Sequence, residues 1–160
     1  TTTVYDPLRS QPTQVTDANN KVTTTAYDPL GRVTKVGQPT RSAGTYPDSP
    51  SYAFDYLVRK DGPIVTTTKV LAHDSTYREA YAFQDGLLRE RQTQEPSPDG
   101  AGRLVTEKFY DTRGQVWRDS GRFFATGAAE PALVTGQDLN YPSSTDTEYD
   151  GAGRVTAVIS

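Results

Sequence analysis

The chain has 160 residues, 17 Lys and Arg against 20 Asp and Glu, a formal net charge of −3 and no cysteine. By length it is one domain, and the acidic balance argues against a nucleic-acid partner, which favours a basic patch. The absence of cysteine removes disulfide scaffolds, thiolate metal sites and cysteine nucleophiles, and the single histidine, His73, removes polyhistidine metal sites. No apolar run approaches the roughly 18 residues of a membrane span, and no signal peptide is visible. The opening Thr1-Thr2-Thr3, without Met, is that expected of an internal piece.

Leu 9, Ile 2, Val 13 and Phe 5 make a thin apolar inventory, set beside 10 Tyr and 23 Thr. Tyr, Thr and Val suit a pleated, half-buried surface. The chain therefore reads as all-β, with a modest core. No stretch carries a helical period.

A six-residue unit recurs along the chain: Asp, two free residues, Gly or Asn, a long polar residue, then Val or Leu. It stands at Asp17–Val22, Asp28–Val33, Asp99–Leu104, Asp111–Val116 and Asp150–Val155. Tyr27, Tyr110 and Tyr149 precede three of the copies. Tyr5-Asp6-Pro7-Leu8 starts another, with Arg9 where Gly is expected. Each unit is a hairpin-turn signature. Asp accepts backbone N–H groups further along, which starts a turn, and the fourth residue must turn left-handed, which Gly and Asn tolerate. A type I turn followed by a left-handed residue closes a three-residue loop with a bulge. Asp6, Asp17 and Asp28 are 11 residues apart, room for one strand and one loop.

The middle of the chain keeps the architecture with other turns. Tyr52, Phe54 and Tyr56 alternate, so they share one strand face. Their segment, 51–60, reverses at Asp61-Gly62 and returns as 64–71. Tyr77, Glu79, Tyr81 and Phe83 share another face, reverse at Asp85-Gly86 and return as 87–93. Three stretches read as loops: 37–50, 95–101 and 125–147, the last with a short strand near 132–135. The whole of 1–160 is then one repeat-built β-sheet region.

Tyr27-Asp28-Pro29-Leu30-Gly31-Arg32 and Tyr149-Asp150-Gly151-Ala152-Gly153-Arg154 closely resemble the YD repeat of the Rhs family. Tyr110-Asp111-Thr112-Arg113-Gly114-Gln115 is a near match, with Gln for Arg. The likeness is strong over the first ~40 residues and near 99–120 and 146–160 and looser between them. It implies consecutive antiparallel β-hairpins forming a curved sheet, a segment of a larger β-shell. It also implies a role: in bacterial Rhs proteins and the related Tc-toxin component such a shell encloses a C-terminal toxin, and in teneurins a similar barrel supports adhesion. The implied partners are neighbouring YD repeats and an enclosed polypeptide cargo, and the implied location is secreted or cell-surface. The family's self-cleaving region is not recognisable, so no catalytic residue is carried over, and no cofactor is expected. The residues that carry the resemblance are Tyr27, Asp28, Gly31, Arg32, Asp99, Gly102, Arg103, Tyr110, Asp111, Gly114, Tyr149, Asp150, Gly153 and Arg154. A repeat buries its apolar face against its neighbours, which accounts for the thin core.

Other patterns read more simply as structure. His73-Asp74-Ser75 contains the residue types of a hydrolase triad, but triads are assembled by the fold rather than by adjacency, and the run reads as a turn. Asp99-Gly100-Ala101-Gly102 and Asp150-Gly151-Ala152-Gly153 lack the Lys-Ser/Thr of a phosphate loop. Asp146, Glu148 and Asp150 alternate on one face, and read as a solvated strand rather than a calcium site. No carboxylate pair stands out for glycoside hydrolysis. Trp117 and Phe123-Phe124 read as packing first. The alternative function is a glycan- or protein-binding β-domain that uses the aromatic face of Tyr52, Phe54, Tyr56, Tyr77, Tyr81 and Phe83.

Overall fold

The structure, a computed structural model, describes residues 1–39, 49–134 and 141–160. Its strands are β1 (Thr2–Tyr5), β2 (Pro12–Thr16), β3 (Val22–Tyr27), β4 (Val33–Gly37), β5 (Tyr52–Leu57), β6 (Ile64–Leu71), β7 (Tyr77–Gln84), β8 (Glu90–Pro96), β9 (Gly102–Tyr110), β10 (Val116–Thr126), β11 (Thr145–Tyr149) and β12 (Val155–Ile159). They form one 12-stranded sheet in chain order, each strand hydrogen-bonded to its sequence neighbours. The all-β reading, as consecutive antiparallel hairpins in an open sheet, holds. No helix among the described residues is long and apolar enough to cross a membrane.

The chain divides into two compact units, residues 1–55 with 68–78 and residues 56–67 with 79–160. In the first, β1 to β4 pair in simple registers: Thr3 faces Val15, Val15 faces Thr23, and Thr25 faces Val36. Among the described residues of this unit only Pro50 is buried. Threonine-rich strands in which apolar and polar positions both stay half-open give it little core. Lys69 of β6 reaches Asp55 of β5 at 3.1 Å.

The second unit holds the core, on one face of the sheet. Val65, Tyr81 and Phe83 form one buried cluster, with Ala129 and Leu133 packed on it. Val105, Phe123 and Ala125 form another, with Val134 and Tyr141 packed on it. The covering residues come from the connection between β10 and β11. Residues 127–134 form no strand, including the described part of the stretch expected to be one near 132–135. They act instead as a strap laid over the sheet. Residues 40–48 and 135–140, within the two long expected loops, lie outside the described residues. The expected loops are also trimmed at their ends, because β8 runs through Pro96 and β10 through Thr126.

Among the described residues two ladder irregularities lie in β10, at Val116/Arg118 and Asp119/Arg122, and four more, at Val4/Tyr5, Ala26/Tyr27, Phe83/Gln84 and Glu148/Tyr149, fall directly before a turn aspartate. Bulges there fit a three-residue loop that closes through a left-handed residue.

Candidate functional site

The repeated element is a turn whose chemistry centres on one carboxylate. In the turn at 28–32 the Asp28 N–H donates to the Arg32 carbonyl at 2.9 Å and the Gly31 N–H to the Asp28 carbonyl at 2.9 Å. Oδ1 of Asp28 accepts the backbone N–H groups of Leu30 and Arg32, each at 2.9 Å, and Oδ2 accepts Nε of Arg32 at 2.7 Å. Gly31 takes the left-handed conformation at φ 80°. The pattern thus explains its own residues. Asp collects the loop's inward donors, Gly supplies the left-handed step, and Arg folds back to neutralise the carboxylate.

The same bonds recur at 111–115 and 150–154. Asp111 accepts the N–H groups of Arg113 and Gln115, and because Gln replaces Arg at the fifth position, Arg113 supplies the cation instead at 3.3 Å. Asp150 accepts the N–H groups of Ala152 and Arg154, and Nε of Arg154 at 2.8 Å. Asp17 repeats the carboxylate bonds with Asn19 and Lys21, with Asn20 left-handed at φ 59°. The turn at Asp6 is one residue longer. It closes on Gln11, and Ser10 takes the left-handed place that Arg9 was expected to occupy.

Partial burial works against the charge on Asp28, but the N–H and guanidinium of Arg32 and the N–H of Leu30 outweigh it and hold the carboxyl below its ordinary value. Asp85 has the same balance of burial against its Arg89 partner. The N–H of Gln115 is the main cause of the lowering at Asp111, and that of Arg154 at Asp150.

Two of the expected turns differ from their sequence reading. In the unit placed at Asp99–Leu104 the turn begins two residues earlier, at Ser97. The Ser97 N–H donates to Gly102, the Gly100 N–H donates to Ser97, and Gly100 is the left-handed residue at φ 73°. Asp99 is then a loop residue that accepts from the Ser97 hydroxyl and the Ala101 N–H. Gly102 opens β9, where a Cβ would lie 2.5 Å from the Ala125 carbonyl and 2.6 Å from the Phe124 ring. It is glycine for close approach, not for turning. Arg103 does not close a turn but anchors the strap, with Nη1 at 2.9 Å from the Ala128 carbonyl and 2.9 Å from Glu130.

Conversely, Asp85–Arg89 is a complete copy hidden behind Asp85-Gly86. Asp85 accepts from Leu87 N–H, Arg89 N–H and Arg89 Nε, with Leu88 in the left-handed seat at φ 62°. The Asp-to-Arg spacing of four residues was the signal; leucine in glycine's seat concealed it.

The tyrosines before the aspartates tie strand to strand. The Tyr27 hydroxyl donates to the Pro12 carbonyl at 2.9 Å, Tyr110 to Glu90 at 2.7 Å and Tyr149 to Val116 at 2.8 Å. Each acceptor is the first residue of the preceding strand. Turns on the same sheet edge are joined as well. Gln11 Nε2 donates to the Gly31 carbonyl and Arg9 to Pro29; Gln115 Nε2 donates to Gly153 and Arg113 to Asp150. Arg89 lies over the Tyr110 ring, 4.2 Å from its centroid, a cation–π contact. Within each unit the turns thus form a bonded row.

The strap is held by buried amides. Gln92 and Gln94 of β8 are each 1 % exposed. Gln92 accepts from the Val134 N–H at 2.9 Å and donates to the Val134 carbonyl at 3.2 Å. Gln94 donates to the Ala132 carbonyl at 2.7 Å and to Oε1 of Gln92 at 2.8 Å. The two side chains act as a piece of sheet ladder, reading alternate residues of the strap's main chain. Glu107, also buried, is met by Arg91 at 2.8 Å and the Tyr141 hydroxyl at 2.6 Å. Tyr141 packs edge-on against Phe123 and Phe109.

The proposed aromatic face is not one open surface. Tyr81 and Phe83 are core residues under Ala129 and Leu133, a cover that strand alternation could not reveal. Tyr52, Phe54, Tyr56 and Tyr77 are half-buried, and the Tyr77 hydroxyl donates to the Pro50 carbonyl. His73-Asp74-Ser75 lies in a tight turn in which Asp74 accepts from the N–H and hydroxyl of Thr76 and Ser75 is left-handed. Asp146 accepts from Nε and Nη2 of Arg118, and Asp150 is engaged by its own turn.

Residues 5–43, about a quarter of the chain, match the family model of the RHS repeat. No curated protein matches the chain.

Proposed function

We propose, from an RHS repeat at residues 5–43 and the same turn bonding as far as Arg154, that this chain is a stretch of the wall of an Rhs-like shell. Such a wall encloses a polypeptide cargo, a C-terminal toxin or another chain, and keeps solvent and proteases from it. The observation that carries this reading is the bonded row of turns. Tyrosine hydroxyls and turn side chains link neighbouring hairpins within each unit, beyond the ordinary strand ladder, as a rigid wall requires. Repeats of this kind gain their stability from neighbouring repeats, consistent with the sparse core of residues 1–55. The role is structural rather than enzymatic, and the setting is secretion or the cell surface.

The glycan-binding alternative loses Tyr81 and Phe83 to the core, and no other observation favours it. The test of the encapsulation reading is limited proteolysis of the native polypeptide that contains this stretch. A segment cleaved only after the wall has been unfolded supports enclosure. Equal protease sensitivity of every segment before and after unfolding would overturn it.

A further inference from the structure

Four aspartates stand directly before a glycine: Asp61-Gly62, Asp85-Gly86, Asp99-Gly100 and Asp150-Gly151. The carboxyl carbon of an aspartate is open to attack by the backbone nitrogen that follows it, and glycine has no side chain to hinder the approach. The fold treats the four pairs differently.

Three of these carboxylates are captured. Asp85 accepts the N–H groups of Leu87 and Arg89, and Nε of Arg89 at 2.7 Å. Asp150 accepts the N–H groups of Ala152 and Arg154, and Nε of Arg154 at 2.8 Å. Asp99 accepts from the Ser97 hydroxyl and the Ala101 N–H. The nitrogen that would attack it, that of Gly100, is itself engaged, donating to the Ser97 carbonyl at 2.9 Å. Turning any of these carboxyls onto the next nitrogen breaks its turn bonds. Bonds to the ionised form also disfavour the acid form, the one from which an oxygen leaves as water. The carboxyls of Asp99 and Asp150 lie below their ordinary value, led by the Ser97 hydroxyl at the first and the Arg154 N–H at the second.

Asp61 stands outside this pattern. β5 ends at Leu57 and β6 begins at Ile64, and residues 58–62 of the loop between them are exposed. Among the described residues the Asp61 carboxylate has no hydrogen-bond or ion-pair partner, and no main-chain hydrogen bond joins residues within 58–63. The loop is spanned instead by Arg59, whose Nε donates to the Pro63 carbonyl at 3.3 Å. Its guanidinium lies over Gly62, where an added Cβ would sit 2.7 Å from Nε and 3.0 Å from Cζ. Glycine leaves room for the arginine, and a cation stands beside the nitrogen that must shed a proton to attack.

We propose that Asp61-Gly62 is a site of spontaneous aspartyl isomerisation, selected by the fold from the four pairs. The Gly62 nitrogen bonds to Cγ of Asp61, and its proton departs with the carboxyl hydroxyl as water. The cyclic imide then takes up water. Breaking the new Cγ–N bond restores aspartate. Breaking the original bond, from the nitrogen to the α-carbonyl carbon, leaves isoaspartate, with the main chain routed through Cβ and Cγ and the α-carboxylate free. Water is released and regained, so nothing is oxidised or reduced. The product lengthens the loop's main chain by a methylene and presents a carboxylate of the class methylated by S-adenosylmethionine-dependent isoaspartyl methyltransferases. The site lies within one hairpin loop and does not depend on what the sheet encloses.

In the test, the folded chain is aged at neutral pH and body temperature for several weeks beside a sample held in urea. Isoaspartate is counted as methyl groups transferred from labelled S-adenosylmethionine by an isoaspartyl methyltransferase. It is located by peptide mapping with endoproteinase Asp-N, which cuts before aspartate but not before isoaspartate. In the folded chain, conversion at Asp61 should exceed that at Asp85, Asp99 and Asp150 severalfold. In urea the four should converge, because only the fold protects the other three. Asp61→Glu, whose longer side chain closes a larger ring more slowly, should remove most of the methyl acceptance and leave the thermal melt unchanged. Equal conversion of the four pairs in the folded chain overturns the proposal, as does a dominant product elsewhere. A preference for Asp61 that persists undiminished in urea overturns it too, since the selectivity would then belong to the sequence and not to the structure.

Discussion

Adding one methyl group at Gly31 tests both halves of the turn argument, because the structure provides a control for each. At Gly100, left-handed at φ 73°, an added Cβ meets nothing within 4 Å. Gly100→Ala therefore isolates the backbone cost. That is about 1–2 kcal/mol for an L-residue in this conformation, less the ~0.4–1 kcal/mol recovered from a stiffer unfolded chain. At Gly31, φ 80°, the same Cβ would also lie 3.1 Å from Nε2 of Gln11, the group that donates to the Gly31 carbonyl at 2.9 Å. Displacing that amide forfeits a hydrogen bond worth about 0.5–1.5 kcal/mol. Gly31→Ala should thus cost about 0.5–3 kcal/mol in all, and Gly31→Val more, since a β-branched residue resists the left-handed region further. In a chain of this size 1 kcal/mol moves Tm by about 2–4 °C, so the variants should separate in thermal melts followed by circular dichroism. With Gln11→Ala added, the Gly31→Ala loss should fall below the sum of the two single losses, because they remove one shared contact. The reasoning fails if Gly31→Ala costs no more than Gly100→Ala, or if the double variant is strictly additive.

Other expectations follow from the same contacts. Asp28, Asp85, Asp111 and Asp150 have carboxyls held below their ordinary value when folded. Their stabilisation is complete above the unfolded carboxylate pKa of about 3.9 and lost as pH falls through the lower folded values. Melting temperature should be level near neutrality and fall in that acid window, and a fall confined to higher pH would point to other groups. Tyr110→Phe strands the Glu90 carbonyl at its strand start and should cost about 0.5–1.5 kcal/mol, read from the same melts; an unchanged Tm would remove the tyrosine tie from the account. Gln92→Ala with Gln94→Ala should release the strap, so that amide exchange at residues 128–134 accelerates while β9 and β10 stay protected. Unchanged exchange there would show that apolar packing alone holds it.

Most of the fold was legible because the turns announce themselves. Asp followed by a left-handed Gly or Asn at a fixed distance has a local physical cause, and the strands between are simply what remains. Legibility failed where the cause was not local. Leu88 occupies a seat that sequence reserves for glycine, held there by the Asp85–Arg89 clamp. Ser97 opens a turn that Asp99 seemed to claim. Alternation placed Tyr81 and Phe83 together on one face, but periodicity says only which residues share a face, not what lies upon it. Gln92 and Gln94 gave no signal at all, since a glutamine destined for a main-chain partner 38 or 42 residues away reads like any surface amide.

The grip of those glutamines has an evolutionary consequence. They address the strap through its amides and carbonyls, and most of its side chains point elsewhere: Ala128, Glu130, Pro131 and Ala132 are exposed. Anchorage therefore constrains the path of the segment much more than its spelling. Residues outside the packing positions Ala129, Leu133 and Val134 and the Glu130 carboxylate that Arg103 holds are free to drift, or to be rewritten by design, while the segment keeps its seat. The sheet thus presents a short stretch that tolerates sequence change in a fixed frame, a ready place for new surface chemistry to arise without disturbing the repeats beneath.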